Sequence, residues 1–179
     1  MHFRRWWRFK CTIRVHRMVP YHCASVKGKG VKDHWMLGNS SHVIDLAFHF
    51  IGRPVDWKYW HAGSIDWHPV AARFAGAGIT EQKVMFSYLA DWEAPGRWGV
   101  ELLTAKRRLI LRPIEQLHVT PLGTVKIEAI DPIDSLDKEY KPGLYLQTQA
   151  FLEGNDNLFC TLPEQVENVR IYSEMAGYL

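Results

Sequence analysis

Apolar and polar positions alternate at the start of the chain. Phe9, Cys11, Ile13 and Val15 fall against Lys10, Thr12, Arg14 and His16, which predicts a half-buried strand. SVKGKGVKDHW, residues 25–35, breaks the alternation and reads as a basic, glycine-containing loop. The period then becomes helical over GNSSHVIDLAFHFIG, residues 38–52. Asn39, Ser40 and Ser41 are N-cap types, while Gly52 and Pro54 are stop signals.

From residue 55 to about 130 short strand patterns follow one another. They are VDWKYW, then VAARFAGAG running into a glycine-rich turn, then QKVMFSYLADW. A hairpin comes next over 97–112 with its turn near 105–108, and LHVTPLG and TVKIEAI are two further strands. Residues 131–143 read as a polar linker. A helix from 144 stops at Gly154, and a last helix begins near Pro163 and Glu164 with Val166, Val169, Ile171 and Met175 as its apolar side. Consecutive strands on short turns favour an antiparallel sheet over βαβ units. The expected fold is α+β: a mostly antiparallel open sheet of about six or seven strands, with helices on one face.

The strands carry apolar residues on both faces, among them Trp57, Tyr59, Trp60, Leu102, Leu103, Leu109, Ile110 and Leu111. A sheet covered on one side would leave an apolar face open, and such a face usually marks association. A homo-oligomer built through the open sheet face is therefore expected. A sandwich-like single domain is the alternative.

Composition narrows the class. The 179 residues are 47% apolar and 23% charged, so one globular domain can bury its own core. Three cysteines without a CxxC pattern argue against a disulfide framework and for a reducing, cytoplasmic setting. No apolar run is long enough to cross a bilayer, and no membrane partner is expected. Residues 1–32 carry nine Lys or Arg and no acid, leaving 13 basic and 19 acidic residues in the remainder. That basic arm raises a nucleic-acid reading, but no recognition motif stands behind it.

Candidate chemistry concentrates on the helix at 38–52. At about 100° per residue, His42, Asp45 and His49 share one narrow polar stripe while the other positions form a core face. A histidine in a first helical turn would be kept neutral by the positive helix end, fit for general-base work. No spacing matches a zinc pattern, and no metal is expected. KGKGVK is not a phosphate-binding loop, and no GxGxxG opens a helix. Trp35 and Trp92 offer aromatic faces for a sugar ring, each with core packing as the plainer alternative. Arg97 offers a guanidinium for an anionic substituent.

Two blocks carry a family resemblance. HWMLGNSSHVIDLAFHFIGRPV resembles the GG-x-l-x-D-x-x-x-H-x-x-D-l-l-x-x-l-x-G segment of the Gfo/Idh/MocA oxidoreductases. LYLQTQAFLEGNDNLFCTLPEQVENVRIYSEM is similar to that family's closing pair of helices. The likeness runs from about residue 32 to the end. It implies a C-terminal substrate-binding and oligomerisation domain over 32–179, preceded by a basic arm at 1–31. The family's N-terminal Rossmann domain, which binds NAD or NADP, has no counterpart in these residues.

The resemblance also implies hydride transfer between a nicotinamide and a sugar or cyclitol hydroxyl carbon. His42 falls on the family's proton-transferring histidine. Asp45 falls on its downstream aspartate and would support the substrate site, with Asn39, Trp35, Trp92 and Arg97 as further substrate-side candidates. The aspartate four residues before the histidine is Gly38 here, and Asn39 beside it cannot take a proton as a carboxylate would. The chain is expected to bind no cofactor alone and to be inactive alone. A non-catalytic ligand-binding or scaffolding module that kept the sheet is the competing expectation.

Overall fold

A computed structural model describes residues 10–17, 29–131, 135–155 and 159–179. The expectations for residues 1–9 and 18–28 of the basic arm and loop lie outside the described residues. The fold is α+β, and the described residues hold seven strands in two antiparallel groups and an eighth joining them. Strands β2 (Pro54–Ala62), β3 (Arg73–Thr80) and β4 (Met85–Pro95) form the group of three. Strands β5 (Gly99–Leu103), β6 (Arg107–Leu111), β7 (Leu117–Pro121) and β8 (Glu128–Ile130) form the group of four.

The early alternation becomes β1 (Lys10–Arg17), which is the seam between the groups. It runs parallel to β4, with Ile13 opposite Tyr88, and antiparallel to β5, with Ile13 opposite Val100. The single antiparallel run expected from sequence is thus two runs, and part of the basic arm is built into the sheet. A parallel neighbour cannot be reached by a hairpin, so local patterning gives no sign of this pairing.

The helical layer starts earlier than expected. Lys29–Asp33 is a short helix, α1, followed by a π-helical turn at Met36–Ser40 and by α2 at Ser41–Ile51. The segment read as a loop is therefore helical from Lys29. Ser40 and Ser41 both have right-handed helical dihedrals, and the Ser40 side chain makes no cap. The positive helix end expected at His42 is accordingly not there.

Three further helices follow, α3 (Ser135–Glu139) inside the expected linker, α4 (Leu144–Leu152) and α5 (Leu162–Ala176). Thr161 and Glu164 form a reciprocal capping box at the start of α5. Its end is a Schellman turn, with Gly177 N–H on the Glu174 carbonyl and Tyr178 N–H on the Ser173 carbonyl.

The core lies between one sheet face and α2, the π-turn and the last turns of α5. Val43, Ile44, Ala47, Phe48 and Ile51 of α2 pack into it, with Phe48 edge-on to Phe86 at 5.2 Å. Thr80 donates to the Ile51 carbonyl at 2.8 Å and pins the end of α2 to β3. The α5 residues in this core are Tyr172, Ser173, Met175 and Ala176. Of the apolar side expected for α5, Met175 is buried while Val166 and Val169 are exposed. The FAGAG glycines lie within β3 rather than at a turn. On the opposite sheet face Trp60, Met85 and Leu89 are exposed. Among the described residues no helix is long and apolar enough to cross a membrane.

Candidate functional site

His42 is exposed on the first turn of α2, and its ring lies 5.9 Å from the indole of Trp98. Trp98 sits just before β5, half-buried, with its indole nitrogen buried and unpartnered. Asp45, one turn after His42, is held from across the fold. Its Oδ1 accepts from the Tyr172 hydroxyl at 2.9 Å and from Asn168 Nδ2 at 3.2 Å. Burial, and then the Asp45 carboxylate, hold the Tyr172 phenol well above its ordinary range, so it stays a donor. Asp45 therefore joins α2 to α5 beside the histidine. His49 is exposed and stacks edge-on to its neighbour Phe50.

The other expected residues separate. Asn39 is half-buried within the π-turn, and Arg97 is exposed in the β4–β5 loop. Trp35 and Trp92 are both buried, 4% and 1% exposed. They belong to an aromatic cluster in which Trp67 meets Trp35 edge-on and stacks on Trp92, each at 5.6 Å. Phe74 and His68 pack on Trp92 at 4.5 and 4.6 Å. Their faces are filled by other rings, which matches the core-packing alternative. Trp98, Asn168 and Tyr172 were missed by sequence reasoning. Asn168 and Tyr172 stand four apart on one helix face, a spacing visible in the sequence, but nothing local says that Asp45 is their partner.

Cys160 lies near this cluster, its Sγ 3.8 Å from Asn168 Nδ2. Burial first and the Asp45 charge second push its thiol up, away from the thiolate that nucleophilic chemistry needs. Among the described residues no three His, Cys, Asp or Glu side chains gather as a metal site.

A second polar centre fixes the C-terminus against the helical layer. Tyr178 accepts the Met36 N–H at 3.2 Å and bonds His68 Nε2 at 2.9 Å, while His68 Nδ1 lies 3.1 Å from the Ala71 carbonyl. The Val70 and Ala71 N–H groups also reach Nδ1, at 3.3 and 3.4 Å, so the tautomer sets which of these neighbours the ring serves. Burial is the largest cause that lowers the His68 pKa to about 4, with the Ala71 bond acting against it. An unfolded histidine takes its proton near pH 6.5, whereas folded His68 resists until about pH 4. The unfolded chain therefore binds more protons between those values, and stability falls as pH falls through that window. Urea unfolding at pH 7 and pH 4.5 is expected to show a loss on the order of 2 kcal/mol that His68→Gln largely removes.

Two glycine-containing stretches can be tested as phosphate cradles among the described residues. The FAGAG glycines are crowded by the neighbouring backbone and the rings of Tyr88 and Phe86, leaving no phosphate cradle. Gly30 of KGKGVK lies inside α1.

No protein-family profile and no curated protein matches the sequence. Solved structures do match in fold. UDP-N-acetylglucosamine 3-dehydrogenase GnnA from Acidithiobacillus ferrooxidans aligns with 95% of this chain and 51% of its own, at 13% identity and a TM-score of 0.62. The dehydrogenase MviM from Clostridium difficile aligns over 96% and 54%, at 11% identity and a TM-score of 0.65. Levoglucosan dehydrogenase, solved with NADH and levoglucosan, aligns over 69% and 39%, at 13% identity and a TM-score of 0.52. The chain spans about half the length of the first two and less of the third. The chain shares its fold with about half of each of the first two dehydrogenases, in line with the Gfo/Idh/MocA resemblance of its sequence.

Proposed function

We propose that this chain is the substrate-binding half of a nicotinamide-dependent oxidoreductase acting on a sugar or cyclitol hydroxyl, and that it does not turn over substrate alone. The observation that carries the reading is the exposed His42 on the first turn of α2, beside Trp98 and one turn from the braced Asp45. An exposed imidazole next to an aromatic face suits a polyol: the ring packs on the C–H face, and the nitrogen takes the hydroxyl proton. NAD or NADP would supply the hydride acceptor from another part of the assembly.

A large apolar surface supports a missing neighbour. Phe151 and Leu152 of α4 and Leu162 and Val166 of α5 are each more than 60% exposed. Isolated domains seldom leave so many large side chains bare on two successive helices. α5 is also the helix that holds Asp45, so a nucleotide-binding half seated there would lie near His42. The open sheet face, with Trp60, Met85 and Leu89, remains the surface proposed for self-association. A cytoplasmic setting rests on the cysteine pattern alone.

A protein-detected NMR titration tests the reading on the chain as it stands. Myo-inositol, glucose, levoglucosan and UDP-N-acetylglucosamine form the panel. At least one is expected to shift His42 and the Trp98 indole, while NADH shifts nothing. Tight NADH binding, or sugar shifts that avoid His42, would overturn the proposal.

A further inference from the structure

The helical path changes register between Trp35 and His42, and two hydroxyls sit at the change. In an unbroken α-helix the Ser41 N–H would bond the Leu37 carbonyl and the Met36 N–H the Lys32 carbonyl. Here the Ser41 N–H reaches one residue further, to the Met36 carbonyl. The Leu37 carbonyl is taken instead by the Ser41 hydroxyl at 2.6 Å. The Met36 N–H donates to the Tyr178 hydroxyl at 3.2 Å. Tyr178 is itself placed by the Schellman turn of α5 and by His68. Each hydroxyl serves a backbone group that the wider turn redirects. π-turns are rare and cluster at functional sites, and polar backbone groups in such a turn need partners.

We infer that Ser41 and Tyr178 are positioning residues: their hydroxyls pin the π-turn and so fix the register in which Asn39 and Gly38 stand relative to His42. Without them the turn would relax toward an α-helix. One residue of slip rotates the upstream helix by about 100° and shifts it by about 1.5 Å. α2 is anchored by Val43, Ile44 and Ala47, so the upstream side would move. Trp35, which meets Trp67 at 5.6 Å, would report that movement. The inference rests on the proposed function only for what the register serves, since the turn itself is measured without substrate.

Through-hydrogen-bond couplings and amide exchange by NMR test it, with Ser41→Ala, Ser41→Thr and Tyr178→Phe. A threonine hydroxyl can make the same backward bond to the carbonyl four residues earlier. In Ser41→Ala and Tyr178→Phe the coupling of the residue-41 amide is expected to shift from the Met36 carbonyl to the Leu37 carbonyl, the acceptor of an unbroken α-helix. In Ser41→Ala the Trp35 indole resonance should also move, while the amides of Phe48 and Ile51 keep their protection. Ser41→Thr should behave as the parent protein. A coupling that stays on the Met36 carbonyl in Ser41→Ala would overturn the inference, and so would Ser41→Thr behaving as Ser41→Ala. Lost protection at Phe48 and Ile51 would also overturn it, because that marks general destabilisation. Sugar shifts that avoid His42 would sink the functional reading and leave this coupling pattern intact.

Discussion

Replacing His42 with alanine is expected to lower sugar-dependent NAD reduction by roughly 10²–10⁴-fold, the range in which a positioned general base contributes. Under the proposed function the measurement needs a nucleotide-binding half, which can be fused from the Acidithiobacillus ferrooxidans dehydrogenase that shares this fold. Sugar affinity, read by NMR on the unfused chain, should change only a few-fold. That split separates loss of proton transfer from loss of binding. Thermal stability should hold, because the side chain is exposed and its neighbour Trp98 packs largely through other contacts.

The same fusion tests the missing carboxylate. A Cβ built on Gly38 meets only Val31 Cγ1, at 3.7 Å, so a side chain can start there without a clash at its root. Gly38→Asp is expected to raise turnover, and raising it only when His42 is present would tie the two positions together. Turnover that survives His42→Ala undiminished would remove the histidine from the chemistry and favour the non-catalytic module.

The strand and helix content was legible because periodicity is local. The 97–112 hairpin, for instance, has its turn at Thr104–Arg107, where the Thr104 N–H bonds the Arg107 carbonyl. What escaped depends on contacts that sequence does not localise. Asn39, Ser40 and Ser41 carry cap chemistry, yet a serine hydroxyl can bond backward to a carbonyl as readily as forward to an amide. Ser41 does the former, so the helix runs through instead of starting. Trp35 and Trp92 look like sugar platforms in isolation, and only the arrival of Trp67, Phe74 and His68 makes them core. Of the candidate site, His42 and Asp45 stand on one helix and are visible together in its sequence. The groups that hold Asp45 lie more than 120 residues away, and their placement depends on the whole fold.

The glycines of β3 carry the largest structural prediction. Residues 74, 76, 78 and 80 point toward the helical layer, where Phe74 and Thr80 are fully buried. At 76 and 78 the missing side chains leave a trough that the rings of Tyr88 and Phe86 fill from β4. A Cβ at Gly78 would collide with the Asp56 carbonyl, and would lie 2.6 Å from Trp57 Cβ and 2.9 Å from the Phe86 ring. Two of those three are backbone or the root of a side chain in β2, so a rotamer change cannot relieve them. Gly78→Ala is therefore expected to cost about 3 kcal/mol, the upper part of the overpacking range. In a chain of this length that lowers the melting temperature by about 6–12 °C. Gly30→Ala is the control. Gly30 lies in α1 with nothing within 4 Å of its Cβ, so alanine there should leave stability unchanged or raise it. Equal melting temperatures for the two variants would mean that β3 and β2 stand further apart than described, and the trough would not exist. A loss confined to Gly78→Ala assigns the glycine to close packing of sheet and rings, and takes FAGAG out of the search for a nucleotide site.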